Sequence, residues 1–358
     1  GGGCPCTRHR LRGGRPETRS PPTAAGCGYR SLCTIDSCTP ATGACVHSPN
    51  PCDDGVLCTP VGFDWDGDGD EDLITGNSAG YIAFIENLGG TPARWAAPRY
   101  LSAAGKLIRE QAGPNGSIQG PAESKWGYSI LSVADWDGDG LADIMTNGIW
   151  GKIVWYKNIG TRTAPRLAAG QPVELALPAG AINPAPPWNW WKPTGRELVT
   201  QWRTTPVGVD WNKDGLTDLV MLDQEGYLAF FERAKVDGKL VLLSPRRAFC
   251  DESGKPLQLS KGAAGKSGRR KLCVTDWDGD GQADFLLNSS SANFLRQVGF
   301  KDGNWLFKDE GPLVKQNIEG HDVSPTTVDF DADGVPDFLG GAEDGRFYFL
   351  QNPRSATK

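Results

Sequence analysis

The feature that most constrains this chain is a short acidic segment that occurs five times. Asp64-Trp65-Asp66-Gly67-Asp68-Gly69 returns as Asp135 to Gly140, Asp210 to Gly215, Asp276 to Gly281 and Asp329 to Gly334. The copies lie between 53 and 75 residues apart, too far for single hairpins and suited to a repeated sheet of about four strands. Short β-rich runs precede each copy, as at Thr205 to Val209. Apolar pairs such as Leu73-Ile74 and strand-like runs such as Tyr81 to Ile85 and Tyr227 to Phe231 follow. No helical period intervenes, so an all-β fold is expected.

Within each copy, oxygen-bearing side chains stand at positions 1, 3, 5 and 9, and glycine fills position 6. The set is Asp64, Asp66, Asp68 and Asp72; Asp135, Asp137, Asp139 and Asp143; Asp210, Asn212, Asp214 and Asp218; Asp276, Asp278, Asp280 and Asp284; Asp329, Asp331, Asp333 and Asp337. Carboxylates at alternate positions, with a sharp turn at glycine, are how a loop wraps a hard cation, and up to five Ca2+ ions in a mainly structural role are expected. Asn212 removes one charge and should weaken the third site. The Glu of an EF-hand at position 12 is missing, and the flanks read as strands. Trp follows the first Asp in four copies, and this regularity marks it as core between repeats.

These repeats resemble the FG-GAP or VCBS-type repeats of integrin α-chain propellers, some fungal lectins and several bacterial polysaccharide-processing propellers. The resemblance covers residues 60–358 and implies a calcium-stabilised β-propeller of five recognisable four-stranded blades. It does not imply one activity, because the family spans adhesion, sugar binding and catalysis. Five copies are fewer than the seven or eight common in such rings. The last repeat ends after three clear strands, and no convincing strand precedes residue 60 to complete it. This leaves open a fragment or fusion lacking upstream blades, or two chains completing one another.

Cysteines separate the first 59 residues from the rest. Eight of the ten lie at or before Cys58, in a stretch with almost no apolar residues. Without the paired CxxC spacings of a zinc site, they read as a disulfide-stapled segment of little regular structure in an oxidising compartment, with the pairing open. The run from Cys33 to Cys45 resembles short Cys-rich repeats of secreted bacterial proteins. A secreted, periplasmic or cell-surface location follows, with any leader removed or outside the sequence. No apolar run is long enough to span a membrane.

The net charge is −6, and five divalent ions would carry it to +4. A basic exterior favours acidic polysaccharides as partners, with protein possible and nucleic acid disfavoured in an oxidising compartment. Recognition should come from positions that differ between repeats. Seven residues before the first loop Asp stand Tyr128, Arg203 and Arg269, with Asp322 and its neighbour His321 in the fifth repeat. Beside them lie Lys125, Trp126, Trp202, Arg270 and Lys271, and Trp188, Trp190 and Trp191 crowd a Pro-rich loop. Carbohydrate binding through this basic, aromatic edge is the leading expectation. The alternatives are a polysaccharide lyase or other carbohydrate-active enzyme, in which Tyr128, Arg203, Arg269 and His321 neutralise a uronate and remove its α-proton, and an integrin-like adhesion scaffold.

Overall fold

The computed structural model describes the backbone of Thr34–Cys38 and Cys45–Pro49, and residues 59–355 except 91–92, 118, 182, 184–192, 194, 262–268, 290, 319–322, 331–332 and 343; side chains are described from residue 63 onward. The described residues are all-β, in several sheets, with one short 3-10 turn at Pro121–Glu123. None of their helices is long and apolar enough to cross a membrane.

The strands are β1 (Thr34–Cys38) and β2 (Cys45–Pro49), which pair as an antiparallel hairpin; the expectation of little regular structure before residue 60 is corrected to that extent. The first sheet holds β3 (Thr59–Phe63), β4 (Asp72–Gly76), β5 (Ile82–Ile85) and β6 (Arg99–Tyr100) in sequential order. A small hairpin of β7 (Ser102–Ala103) and β8 (Lys106–Leu107) follows. The second sheet runs through β9 (Ile130–Ala134), β10 (Asp143–Asn147), β11 (Ile153–Tyr156) and β12 (Gln171–Pro172).

The third sheet has three strands, β13 (Val207–Val209), β14 (Asp218–Leu222) and β15 (Leu228–Phe231), and is followed by the hairpin β16 (Arg233–Val236) and β17 (Lys239–Leu242). The fourth has five. Here β18 (Phe249–Asp251) lies parallel to the outer strand of the series β19 (Leu272–Thr275), β20 (Asp284–Leu287), β21 (Asn293–Lys301) and β22 (Asn304–Pro312). The fifth comprises β23 (Ser324–Val328), β24 (Asp337–Gly341) and β25 (Phe347–Leu350). The uniform four-stranded unit expected from the repeat is therefore corrected: among the described residues the sheets hold four, four, three, five and three strands.

The second strand of every sheet is buried along its whole length, as its near-continuous apolar sequence requires. Both faces are covered because the sheets pack on one another. Trp65 packs with Leu131 and Ile144 of the second sheet, Trp136 with Leu219 and Met221 of the third, Trp211 with Phe285 of the fourth, and Trp277 with Phe338 of the fifth. The expectation that this tryptophan is core between repeats is met: all four are at most 7% exposed. Each wedge withdraws a large apolar surface from water, worth about 2–3 kcal/mol.

Phe330, in the tryptophan position of the fifth loop, packs against Leu73 and Ile85 of the first sheet. The first strands meet in cyclic order as well: β3 with β9, β9 with β13, β13 with β19, β19 with β23, and β23 with β3.

Candidate functional site

Each acidic loop joins the first strand of its sheet to the second. Its turn is held by its own carboxylates. The first aspartate accepts backbone N–H groups further along the loop: Asp135 Oδ1 and Oδ2 from Gly138 and Gly140 at 2.8 Å each, and Asp276 from Gly279 at 2.8 Å and Gly281 at 3.1 Å. The position 5 carboxylates of Asp68, Asp139, Asp214, Asp280 and Asp333 each accept the N–H two residues on, at 2.8–3.0 Å. Position 6 lies in the left-handed region in all five loops, φ 81–101°, which is why only glycine occupies it.

The position 9 aspartates are the most buried groups of the loops, 0–1% exposed in every copy. In the first four, one oxygen accepts the N–H of the position 2 tryptophan, as in Trp65 N to Asp72 Oδ2 at 2.9 Å and Trp211 N to Asp218 Oδ2 at 3.1 Å. In all five Oδ1 accepts an N–H from the third strand or just beyond it: Gln297 within its strand, and Asn87, Asn158, Arg233 and Asn352 two residues past theirs, at 2.6–2.8 Å. One carboxylate thus staples loop, second strand and third strand. Burial pushes the carboxyls of Asp72, Asp143, Asp218 and Asp284 up to about 6, against which their backbone donors act.

Positions 1, 3 and 9 converge. Asp64, Asp66 and Asp72, then Asp135, Asp137 and Asp143, then Asp276, Asp278 and Asp284 each bring three carboxylate oxygens within 4.8 Å of one another. At position 3, Asp66 Oδ1 and Asp137 Oδ1 are shielded from water and accept no hydrogen bond. A shielded carboxylate oxygen without a donor, facing two more carboxylates, fits a hard divalent cation; the first two loops offer this, and the fourth offers the three converging carboxylates alone. The third loop is closed on itself, because Asn212 Nδ2 donates to Asp214 Oδ2 at 3.1 Å. In the fifth loop, Asp331 lies outside the described residues.

Cationic side chains missed in the sequence reach the same loops. Lys157 bonds Asp137 and lies 2.8 Å from Asp139, Arg162 reaches Asp64 from 98 residues away at 3.0 Å, and Arg296 stands 4.0 Å from Asp278. They partly neutralise the carboxylates. No local sequence signal marks them, since each is supplied by an element outside the loop it serves.

At the opposite end of the first strands, Tyr128, Arg203 and Arg269 come together from three repeats. All three are left-handed, with φ of 53°, 57° and 62°. Conformations of this kind cost a bulky residue about 1–2 kcal/mol and concentrate at functional sites. Here the backbone N–H groups of Tyr128 and Arg203 bind Ser78 O and Gly148 O of the preceding repeat, and that of Arg269 binds Trp202 O.

Their side chains form a ladder. The Arg203 guanidinium sits over the Tyr128 ring, 3.2 Å from its centroid, and 5.2 Å from Trp202; Arg269 lies 5.4 Å from Trp202, and Trp126 stacks beside Tyr128 at 6.2 Å. Tyr128 donates to Glu123 Oε1 at 2.7 Å, and Ser117 donates to Glu123 Oε2. Burial first, and then the Glu123 bond, push the Tyr128 hydroxyl up to about 12, so it keeps its proton and suits donation better than proton removal.

The other candidates divide. Lys125 and Arg269 are exposed and Trp126 is half-buried, all available to a ligand. Trp202 is 2% exposed within a cluster with Ala112 and Ile149, and Lys271 is 2% exposed. Arg270 spends its guanidinium on Leu259 O, Asn288 O and Asn288 Oδ1. These three hold the edge together from inside and present little surface to a ligand. His321, Trp188, Trp190 and Trp191 lie outside the described residues.

Cys250 and Cys273 are free thiols whose pKa is raised by burial, which favours the protonated, less reactive form. The chain matches no protein-family model and no curated protein sequence.

Proposed function

We propose that the five sheets are the blades of a β-propeller of the FG-GAP or VCBS kind, stabilised by calcium in its acidic loops, and that the protein is exported and binds carbohydrate, chiefly acidic polysaccharide. Support for the ring comes from the cyclic contacts of the first strands and from Phe330, which packs the fifth sheet against the first. Asp64, Asp66 and Asp72, with their counterparts in the second and fourth loops, would hold the metal. Calcium there would neutralise crowded carboxylates and brace the turn between the first two strands.

The observation that carries the ligand class is the ladder of Tyr128, Arg203 and Arg269, contributed by three successive repeats at equivalent strained positions. Exposed Arg269 and Lys125 would meet uronate carboxylates, and Trp126 offers a ring face for a pyranose. The raised Tyr128 pKa favours binding over elimination, because a general base for the uronate α-proton should titrate near the working pH.

The test incubates calcium-loaded protein with a panel of acidic and neutral plant and microbial polysaccharides, following both retention on polymer and appearance of ultraviolet-absorbing unsaturated ends. Retention on acidic polymers without new ends is the expected result. Unsaturated products would establish a lyase, and retention on neither class would overturn the carbohydrate reading.

A further inference from the structure

Repeats that share one core can carry recognition only where one of them departs from the rest, and two departures meet at the loop end of the third and fourth sheets. The first is the hairpin of β21 and β22, nine residues per strand where no other strand among the described residues exceeds five. Near its tip Phe300 is 62% exposed, its ring 5.5 Å from that of Trp305. The second departure is the third loop. It has Lys213 where three other loops have Gly67, Gly138 and Gly279, and Asn212 where they have aspartate.

Between these two features lies a cleft of about 470 Å³, lined by Lys213, Arg246, Gln282, Gln297, Phe300 and Trp305 among others. Its size is that of a small-ligand site. Lys213 and Arg246 are both exposed. The carboxylates nearest in sequence to Lys213 are already engaged: Asp210 accepts the N–H groups of Asp214 and Gly215, and Asp214 accepts those of Leu216 and the Asn212 amide.

We infer that this cleft is a second ligand site, specific for an anionic saccharide unit, with Phe300 and Trp305 stacking on the sugar ring, Lys213 and Arg246 taking its carboxylate, and the exposed Gln282, oriented by the 2.6 Å bond it accepts from Gln297 Nε2, bonding its hydroxyls. Aromatic faces beside planar amides match the alternating apolar and hydroxylated surfaces of a pyranose. An extended acidic peptide fits less well. Trp305, Leu306 and Phe307 are paired on both sides, with β18 and β21, so the cleft floor has no free strand edge for a peptide to extend.

The inference shares its ligand class with the proposed function but not its residues, which lie at the other end of the strands. The experiment is calorimetric titration of calcium-loaded protein with trigalacturonate, a neutral galactose trisaccharide and a Glu-rich hexapeptide, using wild type, Arg269→Ala, Phe300→Ala and the double variant Lys213→Ala/Arg246→Ala. Melting curves check folding, which the exposed positions of the three cleft residues should preserve.

Trigalacturonate should bind Arg269→Ala protein, lose at least tenfold in affinity on Phe300→Ala and on the double variant, and exceed the neutral trisaccharide at least tenfold. Failure of the Arg269 edge alone would leave cleft binding intact, with wild type and Arg269→Ala indistinguishable. The inference is overturned if trigalacturonate fails to bind Arg269→Ala protein, if both sets of cleft variants bind it as wild type does, if the neutral sugar binds equally, or if only the peptide binds.

Discussion

The guanidinium of Arg203 lies over the ring of Tyr128, 3.2 Å from its centroid, although 75 residues and a whole repeat separate the two in sequence. Both stand seven residues before the first aspartate of their loops and both adopt left-handed backbone. The contact is a consequence of neighbouring repeats presenting the same position at the same edge, and it makes that edge cationic and aromatic at once.

Substitutions there should separate the exposed Arg269, whose loss spares stability, from Arg203, which is 7% exposed, packs on Tyr128 and Trp202, and should lower the melting temperature when truncated. Arg269→Ala and Arg203→Ala are expected to reduce retention on acidic polysaccharide at least tenfold. Arg203→Lys should not restore it, since an ammonium lacks the planar face that stacks on Tyr128. Arg269→Gly removes the left-handed penalty of an exposed residue and should leave the melting temperature unchanged or slightly raised. Retention assays alongside melting curves check all four.

Calcium should raise stability in proportion to the loops that bind it. A site filled at one hundred times its Kd adds about 2.7 kcal/mol, so chelation should lower the melting temperature by several degrees. An unchanged melting curve would refute the metal reading. Asp66→Asn and Asp137→Asn should each reduce the calcium-dependent gain by one site, and Asn212→Asp should increase it.

The position 9 aspartates should behave differently, because they are staples before they are ligands. Asp143→Ala strips acceptors from the N–H groups of Trp136 and Asn158 in the buried second sheet. A loss of about 3 kcal/mol is expected even with chelator present, where Asp137→Asn costs little. Equal losses for the two variants in chelator, measured by denaturant unfolding, would contradict this division of roles.

Glu110 supplies a pH dependence remote from the metal loops. The residue is only partly covered, but its carboxyl packs over Gly148 and accepts the Trp150 N–H; burial, opposed by Lys152, pushes it up to about 8. A folded pKa above the unfolded value of 4.5 means that the folded chain holds the extra proton. Its stabilising contribution is full below about 4.5 and is lost as pH rises toward 8. Glu110→Gln should flatten the fall in stability between those limits, which unfolding at a series of pH values will show.

What the sequence by itself determined was local. Alternating carboxylates with glycine at position 6 specify the acidic turn, the apolar run after position 9 specifies a strand buried on both faces, and the recurring tryptophan marks a contact between repeats. All of these are encoded within about ten residues. Sequence spacing also marked Tyr128, Arg203 and Arg269 as equivalent, but the same spacing singled out the region of Trp202, Arg270 and Lys271, whose side chains turn inward.

Direction of that kind depends on which repeat packs next to which, and tertiary structure alone decided it. The same holds for Lys157 and Arg162 at the acidic loops, for the carboxyl of Glu110, and for the cleft that joins Lys213 to Phe300. Each pairs residues from different elements. Their partnership has no local sequence signature because it arises from the stacking of whole sheets, driven by burial of apolar surface that is blind to the polar groups it brings together.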